Sequence, residues 1–177
     1  MSIIVEDGTG KVDAESYATV TYANTYHFSR GNSDWAALTV SVKEQLLRKS
    51  TDYMLQKYRS LWSGLRVNDL TSNAQALDWP RDSVYIDGNA LVSNSIVPAE
   101  VQKACCELAL KANSASLLSD GGRITTKEVV DVLEVEYADN GAGSNVVKYS
   151  SVDNLLDPYL VNGVNGSGNI VGRVERA

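Results

Sequence analysis

The stretch VPAEVQKACCELALKANSASLL, residues 97–118, constrains this chain more than any other. Pro98 stands at the first turn, where a helix accepts proline, and Glu100 places negative charge near the positive end of the helix dipole. Val101, Ala104, Cys105, Leu108, Ala112 and Ala115 recur at helical spacing, and Cys106, Leu110 and Leu117 widen the stripe. A helix apolar over so much of its circumference has to be wrapped by neighbours. Its small residues let those neighbours approach closely. The spacing predicts a helix from Pro98 to about Leu118 at the centre of the fold, with Val101, Ala104, Cys105, Leu108 and Ala112 buried.

Two further helices are legible upstream. Thr19 is a cap for a helix over 20–30 that Gly31 stops, with Tyr22, Tyr26 and His27 sharing a face with Val20 and Ala23. Thr39 caps a second helix over 40–59, in which Val42, Leu46, Leu47, Tyr53, Met54 and Tyr58 form the apolar stripe and Glu44–Arg48 an i,i+4 pair. Residues 60–96 are irregular, punctuated by Gly64, Pro80 and Asp87-Gly88. Leu61, Trp62, Leu77, Trp79, Val84 and Ile86 suggest that this long connection packs rather than floats. After SDGGR a Val-rich stretch predicts a strand over 128–137, with VVKY as a returning strand, and VDNLLDPYL a last short helix. The expectation is a mainly α domain over 1–161: about four helices, a long central third helix and a small β-hairpin element. An extended tail follows over 162–177.

Charge and composition narrow the function. The chain carries 16 Lys+Arg against 22 Asp+Glu, net −6, which argues against a general nucleic-acid binder with a basic surface. Lys43, Arg48, Lys49, Lys57, Arg59 and Arg66 make the one basic region, broken only by Glu44 and Asp52. No stretch reaches the roughly 20 apolar residues of a membrane span. The N-terminus, MSIIVEDGTG, lacks the features of a signal peptide, and neighbouring Cys105 and Cys106 make a poor disulfide framework, so a cytosolic product is expected.

The residue types of catalysis occur without a catalytic constellation. His27, the single histidine, has no nameable partner and reads as a core residue. Cys105-Cys106 cannot both face one metal from a regular helix and read as small buried side chains. GTG, DGG and GSG lack the lysine-bearing spacing of phosphate loops. Glu134 and Glu136 share a strand face, more in keeping with a solvated edge than an acid–base pair. The chain is therefore expected not to be an enzyme and to need no cofactor or metal. QALDWPR has two readings: Trp79 stacking a base beside a phosphate-holding Arg81, or Trp79 as an anchor wedged in the core, which is preferred.

SYATV, RGNSDW, KEQLLRKSTDYM, QALDWPRDSVYIDG, VPAEVQKACCELAL, EVEY and VDNLLDPYL occur in this order. Together they resemble the small phage proteins labelled DnaT-like, which look like tailed-phage head–tail connectors, also called adaptor or head-completion proteins. The resemblance covers about residues 16–160. It implies a non-enzymatic virion protein of the head–tail neck, in a ring of about twelve copies under the portal protein. A tail-side neck or tail protein would lie beyond it, and genomic DNA would pass through the lumen without specific binding. The label itself points instead to single-stranded-DNA binding in phage replication, the alternative reading.

Two surfaces suit a ring. A heterologous interface needs complementary faces, and the basic helix (Arg48, Lys49, Lys57, Arg59) and the acidic stretch with Glu134 and Glu136 could supply them. The tail, with Gly163, Gly166, Gly168 and Gly172 among Asn162, Asn165 and Asn169, offers no helix. Ile170, Val171, Arg173, Val174 and Arg176 suit an extended strand added to a partner's sheet edge, the portal in this reading. Fully extended it would reach roughly 50 Å. A tail folded back on its own domain is the alternative.

Overall fold

A computed structural model describes residues 2–68, 74–118, 127–130, 133–136 and 148–161. In chain order the elements are α1 (Val20–Phe28), α2 (Ser33–Ala36), α3 (Val40–Tyr58), β1 (Leu65–Arg66), β2 (Arg81–Asp82), β3 (Tyr85–Ile86), β4 (Ala90–Leu91), α4 (Ala99–Ser114), β5 (Lys127–Val130), β6 (Leu133–Glu136) and α5 (Ser150–Leu156), which runs into a 3₁₀ turn, Asp157–Tyr159. The domain is mainly α, as expected.

The caps act as the sequence suggests. Thr19 and Thr39 are extended, and their hydroxyls accept from the backbone N–H of Tyr22 and Val42. Helix α4 is the expected central helix. It packs against α1, α3 and α5, and Val101, Ala104, Cys105, Cys106, Leu108 and Ala109 are all buried. It is shorter at both ends than the apolar stripe implied. Pro98 is the N-cap rather than the first helical residue, and the chain becomes extended at Ala115, so Ala112 is only partly covered and Ala115 is exposed. Asn113 and Ser114 close the helix; both residue types favour termini over helix interiors. Leu117 then turns back into the core.

The connection over 60–96 does pack. A run of aromatic rings leads from α3 through it to the 3₁₀ turn: Tyr53 on Tyr58, Tyr58 on Trp62, Trp62 on Trp79 and Trp79 on Tyr159, with centroids 5.5–6.4 Å apart. Edge-to-face pairs at this spacing add to the area they bury. Polar groups inside the connection satisfy its backbone. The Arg81 guanidinium donates to the carbonyls of Ser63, Gly64 and Asp78 at 2.6–3.1 Å. The Gln75 amide donates to the carbonyls of Leu77 and Pro80. At Gly64, φ is +67° and a Cβ would lie 2.2 Å from the Asp82 carbonyl oxygen, so only glycine fits. The β3–β4 hairpin pairs Tyr85 with Leu91 and Ile86 with Ala90 across a loop in which Asp87 and Gly88 are left-handed.

The predicted strand over 128–137 is instead a hairpin in its own right: β5 pairs antiparallel with β6, Val130 opposite Leu133 and Lys127 opposite Glu136. A polar residue, Asp131, interrupts the Val run where the sequence reading carried the strand straight through. VVKY does not supply the return strand in its described part, since Tyr149 is the residue before α5. This hairpin belongs to a separate compact unit, residues 118–148.

A buried carboxylate helps to fasten the segment 148–161. Asp153 Oδ1 accepts from Lys57 Nζ at 2.7 Å and from the Tyr58 hydroxyl at 2.6 Å. Backbone bonds from Ser63 to Tyr159 and from Val161 to Leu61 add to it, as do the Ser63 hydroxyl donating to the Tyr159 carbonyl and the Tyr159 hydroxyl donating to Glu100.

Candidate nucleic-acid interface

The residues first considered for nucleic-acid contact are mostly used up inside the fold. Trp79 has no exposed surface and Arg81 is buried holding three carbonyls, so neither can stack a base or meet a phosphate. The anchor reading of Trp79 holds. On α3, Arg48 forms a bidentate pair with Glu15 at 2.8 and 3.0 Å rather than the expected pair with Glu44. The Arg48 guanidinium holds the Glu15 carboxyl down at about 2, and Glu44 accepts from the Ile3 backbone instead. Lys57 is committed to Asp153, and Arg59 lies 2.9 Å from the buried Asp78 carboxylate. Lys49 is exposed. Glu134 and Glu136 lie on β6 opposite Val129 and Lys127. Ile170, Val171, Arg173, Val174 and Arg176 lie outside the described residues.

The glycine loop after Glu6 is also occupied. Glu6 is 3 % exposed, and its carboxylate accepts the backbone N–H groups of Gly8, Gly10 and Lys11 at 2.7–2.9 Å. Amides arranged this way form an anion nest. The chain fills it with its own side chain, which closes the loop to a phosphate. Cys105 and Cys106 are buried; Cys105 Sγ lies 3.0 Å from Ser50 Oγ, and burial pushes the Cys106 thiol up. Among the described residues no cluster of His, Cys, Asp or Glu is set to hold a metal ion. No helix among them is long and apolar enough to cross a membrane.

One open cleft of about 400 Å³ is bounded by α1, α2 and the first turn of α3. On α1, Ala23, Tyr26 and His27 face inward while Asn24, Thr25 and Phe28 face out. Phe28, the only phenylalanine in the chain, is 87 % exposed at the cleft wall. The buried indole of Trp35 forms the back, and its N–H donates to Asn24 Oδ1 at 3.0 Å, which leaves the Asn24 amide N–H groups for a ligand. Asn32 completes one side, its amide 2.9 Å from His27 Nδ1. Lys43 reaches in from α3, with Nζ 5.7 Å from the centre of the Trp35 ring. His27 itself sits behind the cleft between Tyr26 and Trp35, and burial lowers its pKa below the usual 6.5.

Sequence reasoning had Lys43 among the basic residues and did not single out Phe28. The available signal was positional: on a helical wheel Phe28 falls among Thr21, Asn24 and Thr25, the polar side of α1, where an aromatic ring has no core to join.

An exposed aromatic wall, amide and hydroxyl groups at its side and a cation within the same cleft suit a nucleotide's base and phosphate. Comparison with curated proteins returned no match, and comparison with solved structures returned none. A family model described as "Putative DnaT-like ssDNA binding protein" matches residues 1–177. The chain belongs to this DnaT-like family.

Proposed function

We propose that this chain binds single-stranded DNA, seating an unstacked base against Phe28 at the mouth of the α1–α3 cleft. The observation that carries the reading is the exposed Phe28 ring beside Asn24, Asn32 and Lys43; the family's description supports it. Bases of a single strand present open π-faces, and stacking one on an aromatic side chain is worth about 1–3 kcal/mol. The net charge of −6 opposes the approach of DNA, so attraction is local to the cleft. The chain acts here as a binding protein, with no bond chemistry and no cofactor. Fluorescence anisotropy with a labelled oligothymidylate at low salt tests it. Phe28→Ala should weaken binding by about 5- to 150-fold, the equivalent of one lost stack. Wild-type protein that fails to bind at low salt sinks the reading.

A second reading rests on a different surface. Tyr85 and Leu91 face each other across the β3–β4 hairpin, yet they are 57 % and 61 % exposed, and Leu65 is 71 % exposed. Apolar groups left in water this way suit a protein interface. In this reading the chain forms a ring of about twelve copies in the virion neck, between the portal protein and a tail-side protein, and DNA passes through its acidic lumen. The tail over 162–177 reaches the portal. Native mass spectrometry of the chain mixed with its portal, and of a chain lacking 162–177, tests it. A ring that forms and docks equally well without the tail rules out the tail as anchor, and no association at all removes the reading.

A further inference from the structure

We infer that the cleft seats one complete nucleotide unit, with a phosphate on the Lys43 ammonium and the base on Phe28. The inference deepens the single-strand reading and rests on it for the base half of the site. Lys43 is 7 % exposed, yet among the described residues its ammonium has neither a hydrogen bond nor a carboxylate within ion-pair reach. The other inward-directed lysine of α3, Lys57, shows the ordinary solution: its ammonium is 2.7 Å from Asp153. The Lys43 stem is covered, while its ammonium stands at the open cleft. The Trp35 ring lies 5.7 Å from it as a cation–π neighbour. An anion entering the cleft would meet this ammonium, and the Asn24 amide can add a second donor. At about 400 Å³ the cleft lies at the low end of ligand-sized pockets, about 300–1,000 Å³, room for one nucleotide rather than several.

His27 gives a readout separate from affinity. It is the single histidine, and the charged groups that face it are Glu107 from α4, Arg30 just after α1 and Lys43 from α3, with the Cys106 backbone alongside. Burial lowers its pKa most, Glu107 and the Cys106 backbone oppose this, and Arg30 and Lys43 lower it by lesser amounts. A phosphate that neutralises Lys43 removes one of these two cations, so the imidazole should titrate at higher pH when the cleft is filled.

The experiment is NMR of the full chain, following the His27 ring and the α1 amides, titrated separately with inorganic phosphate, thymidine and thymidine 5′-monophosphate. The monophosphate should bind about tenfold or more tighter than thymidine, the scale of a hydrogen bond to a charged group. It should also raise the His27 midpoint, as should phosphate alone at higher concentration. Lys43→Met should erase the advantage of the phosphate while Lys43→Arg retains it. Equal binding of thymidine and its monophosphate to the wild-type chain overturns the inference, as does an undiminished phosphate effect in Lys43→Met. If the monophosphate binds but oligothymidylate does not, the nucleotide seat stands and the single-strand reading falls. If the oligonucleotide binds through Phe28 with no dependence on Lys43, the reverse holds.

Discussion

Replacing Asp153 with alanine should destabilise the domain by about 3–5 kcal/mol, the usual consequence of removing one partner from a buried ion pair. The side chains of Asp153 and Lys57 are 11 % and 21 % exposed, so water cannot readily take the carboxylate's place. The loss strands two donors, the Lys57 ammonium and the buried Tyr58 hydroxyl. It also deprives the first turn of α5 of an acidic residue, about 0.3–1 kcal/mol. These effects overlap and do not sum. Against a typical domain stability of about 5–15 kcal/mol, the variant should be marginal. Urea unfolding followed by tryptophan fluorescence is the assay, because Trp62 and Trp79 lie in the aromatic run that continues from Tyr58. Lys57→Met combined with Asp153→Leu should recover the part due to the stranded ammonium, while the Tyr58 hydroxyl stays unpaired. A cost below about 1 kcal/mol for Asp153→Ala, the range of an exposed pair, would refute the view that this carboxylate fastens α5 to α3.

Other expectations follow from the core. Leu108→Ala should cost about 2–5 kcal/mol in the same denaturation assay, because Leu108 is fully buried in α4. His27 is held neutral by burial, with its pKa below 6.5. Its contribution is therefore complete above the unfolded value and lost as pH falls from about 6.5, by up to about 1.4 kcal/mol per pH unit. Stability measured between pH 7.5 and 5.0 should decline less steeply in His27→Gln than in wild type. The Glu15 carboxylate, held at about 2, should add its loss only in more acidic solution. Cys105→Ala and Cys106→Ala should leave DNA binding unchanged in the anisotropy assay, since both thiols are buried in the core.

How much of this was legible in the sequence depended on the range of the interaction. Thr19, Thr39 and the stripe of α4 act through neighbours three or four residues away, and the sequence reading located them. Helix α2 is four residues long, too short for any periodicity, so Trp35 was not recognised as the back of a cleft. The partner of Arg48 is Glu15, in a segment no local pattern ties to α3, and the local rule chose Glu44 instead. The phosphate-holding role of Arg81 stayed open as the less favoured reading, because a sequence cannot show three carbonyls converging on its guanidinium. Phe28 and Lys43 come from different helices, and only the fold brings them to one cleft.

The most direct measurement is photocrosslinking of the full chain to an oligonucleotide carrying bromodeoxyuridine, followed by tryptic digestion and mass spectrometry. The account expects the principal adduct on the peptide spanning 12–30, which contains Phe28, and its loss in Phe28→Ala. Adducts confined to other peptides, such as the one bearing Tyr85, or no adduct under conditions where anisotropy reports binding, would contradict the assignment of the cleft as the DNA site.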